Sequence, residues 1–179
     1  MDSFVLPQEF SCTLIEHNLI IPNNYFINLY IEPIFPVTNN IDIGFKKLKH
    51  FFNNKLRNSV LISKDNILLN GFTDIENNVV ILPAEPYDFY VASILLAKVK
   101  TITKDYFDIY QITLDSTFGE HIKYSVEDPI ESGLDIDGDF WWNHDHDGTG
   151  HGESSCWDSL QIRSRFQPKI IKGGLSENK

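Results

Sequence analysis

"EPYDFYVASILLAKVKTITKDY", residues 85–106, is the stretch from which the fold is best predicted. Its apolar side chains recur at helical spacing and form one stripe: Val91, Ile94, Leu95, Val99 and Ile102. Lys98, Lys100 and Lys104 lie toward the C-terminal end, where positive charge suits the helix dipole. A helix with such a stripe must bury it against another element, so we expect the flanking residues to supply a sheet.

A second helix is predicted at residues 39–58, "NNIDIGFKKLKHFFNNKLRN". Apolar residues again recur at intervals of three and four: Ile41, Phe45, Leu48, Phe52 and Leu56. Asp42 falls in the first turn, and Lys55 and Arg57 fall in the last, which matches the polarity of a helix.

Strands are predicted on both sides of these helices. Residues 25–33, "YFINLYIEP", alternate apolar and polar side chains, which is typical of a strand with one buried face. Further strands are predicted at 59–63, 79–83, 107–114 and 121–126, and residues 66–71 form another strand or a loop. The order is β-α-β-β-α-β with one extra strand. It predicts an α+β fold of the ferredoxin-like, split βαβ type, an antiparallel sheet with two helices on one face.

The chain divides by composition into three parts. Residues 1–126 are predicted to form the compact α+β domain, and residues 159–179 a short element with a mobile C-terminal tail. Between them, residues 127–158 (the acidic segment) hold ten acids, all three tryptophans and neither Lys nor Arg. The other 15 acids balance the 15 bases, so the whole net charge of −10 lies in this irregular segment.

This charge distribution limits the classes of partner. An acidic surface repels nucleic acid and attracts basic proteins or cations. No signal peptide and no transmembrane helix is predicted, so we expect a cytoplasmic protein (in the host cytoplasm if the gene is viral) without a membrane partner. Cys12 and Cys156 lie far apart in sequence and are predicted to be buried thiols in a reducing compartment.

A metal site is one interpretation of residues 134–152, "LDIDGDFWWNHDHDGTGHG". Imidazoles and carboxylates are suitable ligands for zinc, and the residues in question are His144, His146, His151, Asp145 and Asp147. Carboxylates at alternate positions, Asp135, Asp137 and Asp139, suit calcium. An EF-hand loop is excluded, because Phe140 and His146 stand where it needs glycine and glutamate. A divalent-metal protein or metal-dependent hydrolase is therefore the alternative function.

Partner binding is the favoured interpretation of the acidic segment. Aromatic rings are common binding anchors, and carboxylates steer a basic partner. The predicted partner-binding residues are Phe140, Trp141, Trp142, Trp157, Asp135, Asp137 and Asp139. Alternatively, the rings cover the face of the sheet that the helices leave open.

Catalysis is not supported by the rest of the domain. Its candidate acid–base residues are interpreted singly as caps, turns or surface residues: Glu85, Asp88, Asp115, Glu120 and His121. The sequence thus favours a non-catalytic macromolecule-binding protein of an accessory or inhibitor type, such as a virus or mobile element encodes. A structural subunit of a larger assembly, for example a virion, is a further alternative.

Overall fold

The computed structural model describes residues 4–33, 41–73 and 79–149. Six strands form one sheet: β1 (Phe4–Glu16), β2 (Leu19–Pro33), β3 (Ser59–Ser63), β4 (Val79–Leu82), β5 (Phe107–Ser116) and β6 (Tyr124–Val126). The helices are α1 (Ile41–His50), which continues as a π-helical turn (Phe51–Leu56), α2 (Leu69–Thr73) and α3 (Asp88–Thr103). Two 3₁₀ turns follow, Pro129–Ser132 and Trp141–Asn143. No helix in these ranges is long and apolar enough to cross a membrane.

The strand order is β4-β3-β1-β2-β5-β6, and the sheet is mixed. β2 pairs antiparallel with β1 and β5, and β5 pairs antiparallel with β6, whereas β1–β3 and β3–β4 are parallel pairs. The α+β class is confirmed, but the ferredoxin-like, wholly antiparallel arrangement is not. The difference arises because β1, which the sequence analysis did not predict, inserts between β2 and β3.

The β1–β2 hairpin turns on two residues, His17 and Asn18, both at positive φ (47° and 65°). Positive φ at both central residues matches the twist of a two-residue hairpin turn, which usually contains Asn-Gly. Along β1, Phe10, Cys12 and Leu14 are buried, whereas Glu9, Ser11 and Thr13 are more exposed, so this face of the strand enters the main core. The predicted strand at 25–33 is confirmed as part of β2. Residues 66–71, predicted as a strand or a loop, instead lead into helix α2, which begins at Leu69.

The main core lies between the sheet and helices α1 and α3. The α3 helix is buried over most of its length, from Val91 to Val99. α1 approaches β5 closely at Gly44, where a Cβ would lie 2.6 Å from the ring of Phe107. On the opposite face of the sheet, α2 covers a small cluster that contains Ile15 and Ile62.

Candidate functional site

Two tryptophans dock the described part of the acidic segment, residues 127–149, onto the main core. Trp141 and Trp142 are only 2% and 1% exposed, and their rings meet edge to face, with centroids 5.5 Å apart. Trp141 also packs near Phe51, and Phe140 stacks on Trp142 at 4.5 Å. Each indole N–H has a hydrogen-bond partner, because Trp141 donates to the carbonyl of Ile81 (2.8 Å) and Trp142 to that of Ile136 (3.0 Å). Both rings therefore belong to the helix-covered core and do not cover the open face of the sheet.

Lys98 lies at the centre of this contact. It is fully buried on α3, and its ammonium donates to the carbonyls of Trp141 (2.9 Å), His144 (2.6 Å) and His146 (2.6 Å). Three oxygens match the three donors of an ammonium group. Burial lowers the pKa of Lys98 to about 7, although the nearby carboxylates of Asp145 and Asp147 act in the opposite direction. The lysine thus satisfies carbonyls that the irregular backbone of the segment would otherwise bury without a donor.

Basic residues of α1 and the π-helical turn neutralise two carboxylates of the segment. Lys47 Nζ lies 2.9 Å from Asp145 Oδ2, and Lys47 is itself buried. Asp147 is buried as well, with His50 Nε2 at 3.1 Å and Lys55 Nζ at 3.6 Å. Because these pairs are partly removed from water, each partner compensates a charge that would be costly to bury alone.

The segment also contacts the outer strand of the sheet, β4. Ile81 donates its N–H to the carbonyl of Thr149 (3.1 Å), and its carbonyl accepts the indole N–H of Trp141. The hydroxyl of Thr149 donates to the carbonyl of Val79 (2.9 Å). Residues 141–149 are therefore tied to a helix face and to a strand at the same time.

The residues predicted to bind metal are engaged with protein groups. The rings of His144 and His146 stack at 5.5 Å, His144 contacts Asp139, and His146 Nδ1 accepts the N–H of Gly148. Within residues 4–33, 41–73 and 79–149, no three His, Cys, Asp or Glu side chains are grouped to hold an ion. Since His151 lies outside the described residues, the zinc and calcium site stays a prediction.

The residues predicted to bind a partner fall into two groups. Trp141 and Trp142 are buried, so a partner could reach them only if the segment opened. Asp135, Asp137 and Asp139 are exposed, and Phe140 is half-buried. Trp157 lies outside the described residues.

A second polar cluster, which the sequence analysis did not predict as a site, lies where α3 begins. Asp88 is nine-tenths buried there, and the hydroxyl of Ser116 donates to its Oδ2 at 2.7 Å. Burial raises the pKa of Asp88, partly offset by hydrogen bonding to Ser116. Burial, helped by the charge of Asp88, also raises the pKa of Cys12 to about 12, so the buried thiol stays protonated. Of the residues interpreted singly, Asp88 lies in the field of Asp115, which itself contacts His121 (3.0 Å).

Comparison with known proteins informs the fold alone. No protein-family model matches the chain, and no curated protein matches it. Among solved structures, it is similar to an uncharacterized protein of Wolinella succinogenes, with a TM-score of 0.54 and 10% sequence identity. The match covers 70% of this chain and 97% of that chain. The α+β architecture is therefore shared with a solved structure.

Proposed function

We propose that this protein is a non-catalytic binding protein that presents Asp135, Asp137 and Asp139 (the acidic ridge) to a basic protein surface. One observation carries the proposal: Asp145 and Asp147 in the docked part of the acidic segment are paired with bases of the domain, whereas two of the three ridge carboxylates form no ion pair among the described residues. Asp145 and Asp147 contact lysines of the domain. Among the described residues, Asp135 and Asp137 form no ion pair, and Asp139 contacts His144.

The docking supports this role because it holds the backbone of the ridge in a defined position on the domain. Ile136 is buried between the first two ridge carboxylates, and its carbonyl accepts from Trp142 and from Asn143 (2.7 Å). A binding surface that is ordered before association loses less conformational entropy when the partner arrives. In this proposal the tryptophans fix the ridge in place and do not contact the partner.

The charge supports a basic protein as the partner. A net charge of −10, which in sequence comes from the segment that contains the ridge, steers a cationic surface toward the protein and repels nucleic acid. The virus-encoded accessory class, a cytoplasmic location and the virion-subunit alternative stay predictions of the sequence. For the metal alternative, elemental analysis of protein purified without a histidine tag is the direct test, and stoichiometric zinc or calcium would favour it.

A labelled decalysine peptide tests the proposal as a surrogate basic partner. The triple variant Asp135→Asn/Asp137→Asn/Asp139→Asn should weaken its binding by about tenfold, since an exposed ion pair contributes roughly 0.2–1 kcal/mol. The matched control, Asp65→Asn/Asp105→Asn/Asp108→Asn, removes the same charge from exposed positions elsewhere and should change the affinity less than about threefold. Equal losses in both variants would show that net charge, and not the ridge, determines binding.

A further inference from the structure

A small cavity lies at the N-terminal end of α3, ten residues and therefore about 15 Å along the helix from Lys98. Its volume is about 240 Å³. The lining residues are Glu16, Pro86, Tyr87, Asp88, Phe118, Gly119 and Tyr124. They come from the end of β1, the start of α3 and the β5–β6 connection, so the fold brings three separate parts of the chain to one opening.

The wall of this cavity combines one buried carboxylate with aromatic rings. Asp88 is 8% exposed, while Tyr87 and Phe118 remain 42% and 47% exposed. The backbone N–H of Phe118 is fixed by the side-chain oxygen of Asn23 (2.9 Å). Gly119 leaves room in front of the carboxylate, because a Cβ at that position would collide with Asp88 Oδ2. The absence of a side chain at residue 119 thus leaves the cavity open beside the carboxylate of Asp88.

The charge of Asp88 is not balanced by a base. Among the described residues it forms no ion pair, and neither Lys nor Arg lines the cavity. Glu16 adds a second carboxylate to the wall. Behind Asp88, the fully buried hydroxyl of Tyr25 lies close to the carboxylate, and burial raises the pKa of Tyr25 well above its usual range, so it is a neutral neighbour and not a counter-charge.

We propose that this cavity binds a small organic ammonium ion, with Asp88 as the counter-charge and Tyr87, Phe118 and Tyr124 as the aromatic wall. Cations bind over aromatic faces, and aromatic cages recognise quaternary ammonium groups. A bare divalent metal ion fits less well, because it takes six or more oxygen ligands whereas two carboxylates line this wall. The site is separate from the acidic ridge and does not depend on the proposed function.

Tetramethylammonium chloride is the probe, titrated up to tens of millimolar at constant ionic strength and followed by the backbone NMR signals of Phe118 and Gly119. The signals should shift and saturate with tetramethylammonium, but not with tert-butanol, a neutral molecule of similar shape, nor with calcium chloride. A shift of the same size with tert-butanol, saturation by calcium alone, or no saturation with tetramethylammonium would overturn the proposal.

Three variants locate the binding. Asp88→Asn keeps the size of the side chain and its acceptor for Ser116, and it should weaken tetramethylammonium binding at least tenfold. Asp115→Asn removes an equal charge nearby that does not line the cavity, and it should change the affinity less than about threefold. Phe118→Leu should weaken binding roughly two- to fivefold, and it is the second test if Asp88→Asn fails to fold. Unchanged affinity in a folded Asp88→Asn protein would also overturn the proposal.

Discussion

The α3 helix carries two buried ionisable side chains, Lys98 and Asp88, and their surroundings differ. The ammonium of Lys98 is enclosed by three carbonyl oxygens and lies in the field of Asp145 and Asp147. Asp88 accepts a hydrogen bond from Ser116, forms no ion pair in the described residues and borders an open cavity. Lys98 completes a contact within the chain, whereas Asp88 is, in our proposal, the counter-charge for a bound cation.

The largest expected effect comes from removing the side chain of Lys98. At pH 7, Lys98→Met should lower the free energy of unfolding by about 3–5 kcal/mol, because three carbonyls of the segment lose their donor and a buried acceptor without one costs about 1–3 kcal/mol. Urea denaturation is the measurement. Lys100→Met, a change on the same helix at a less buried position, is the control and should lower it by less than about 1 kcal/mol. A loss below 1 kcal/mol for Lys98→Met would show that the hydrophobic contacts alone dock the segment.

The pH dependence of stability gives the next effect. The pKa of Lys98 is about 7 in the folded protein against 10.5 when unfolded, so between these values the unfolded chain binds more protons. The free energy of unfolding should therefore rise from pH 7 to pH 8.5, by about 1–2 kcal/mol. Above pH 9 the sign reverses for Cys12, whose pKa is raised from 9.0 to about 12 in the folded state. Urea denaturation at each pH checks this, and the rise should be absent in Lys98→Met.

Replacement of Asp88 should change the free energy of unfolding in the opposite direction to replacement of Lys98. Asp88→Asn relieves the desolvation that raises the pKa of this carboxyl, and it keeps an acceptor for Ser116. We expect the free energy of unfolding at pH 7 to increase by about 1 kcal/mol, measured by urea denaturation. A decrease of the size expected for Lys98→Met would mean that Asp88 is a structural charge of the same kind as Lys98.

The smallest effect is expected on the acidic ridge. Asp137→Asn removes an exposed carboxylate without an ion pair in the described residues, and it should change the melting temperature by less than about 2 °C, as a surface substitution within about 0.5 kcal/mol does. A thermal scan measures this. A drop of 5 °C or more would mean that the ridge helps to hold the fold.

The elements that sequence reasoning found are those with strong local periodicity. The two helices with clear apolar stripes, residues 41–56 and 88–103, are present. β1 was missed because its turn, His17-Asn18, lacks the glycine that usually marks a two-residue hairpin. The parallel pairing of β1 with β3 depends on contacts distant in sequence, which local patterns do not specify.

The candidate sites likewise depend on contacts that local sequence patterns do not specify. Trp141 and Trp142 were recognised as important apolar groups, but composition alone does not distinguish a surface anchor from a core residue. One signal for their docking was present in the sequence. Lys98 lies on the helical face of Val91, Leu95 and Ile102, inside the apolar stripe, where a lysine requires buried acceptors. The Asp88 cavity had no local signal, because its wall combines parts of the chain from residue 16 to residue 124.

The contact between Ile81 and the acidic segment has a consequence for solution behaviour. β4 ends the sheet, and the exposed backbone groups of an end strand can pair with a strand of another molecule. Here Thr149 and Trp141 occupy the N–H and the carbonyl of Ile81. Release of the segment would therefore expose both a strand edge and two indole rings. A variant in which the Lys98 contact is weakened should consequently self-associate before it unfolds completely. Lys98 is therefore expected to protect the protein against self-association as well as to fix the segment on the domain.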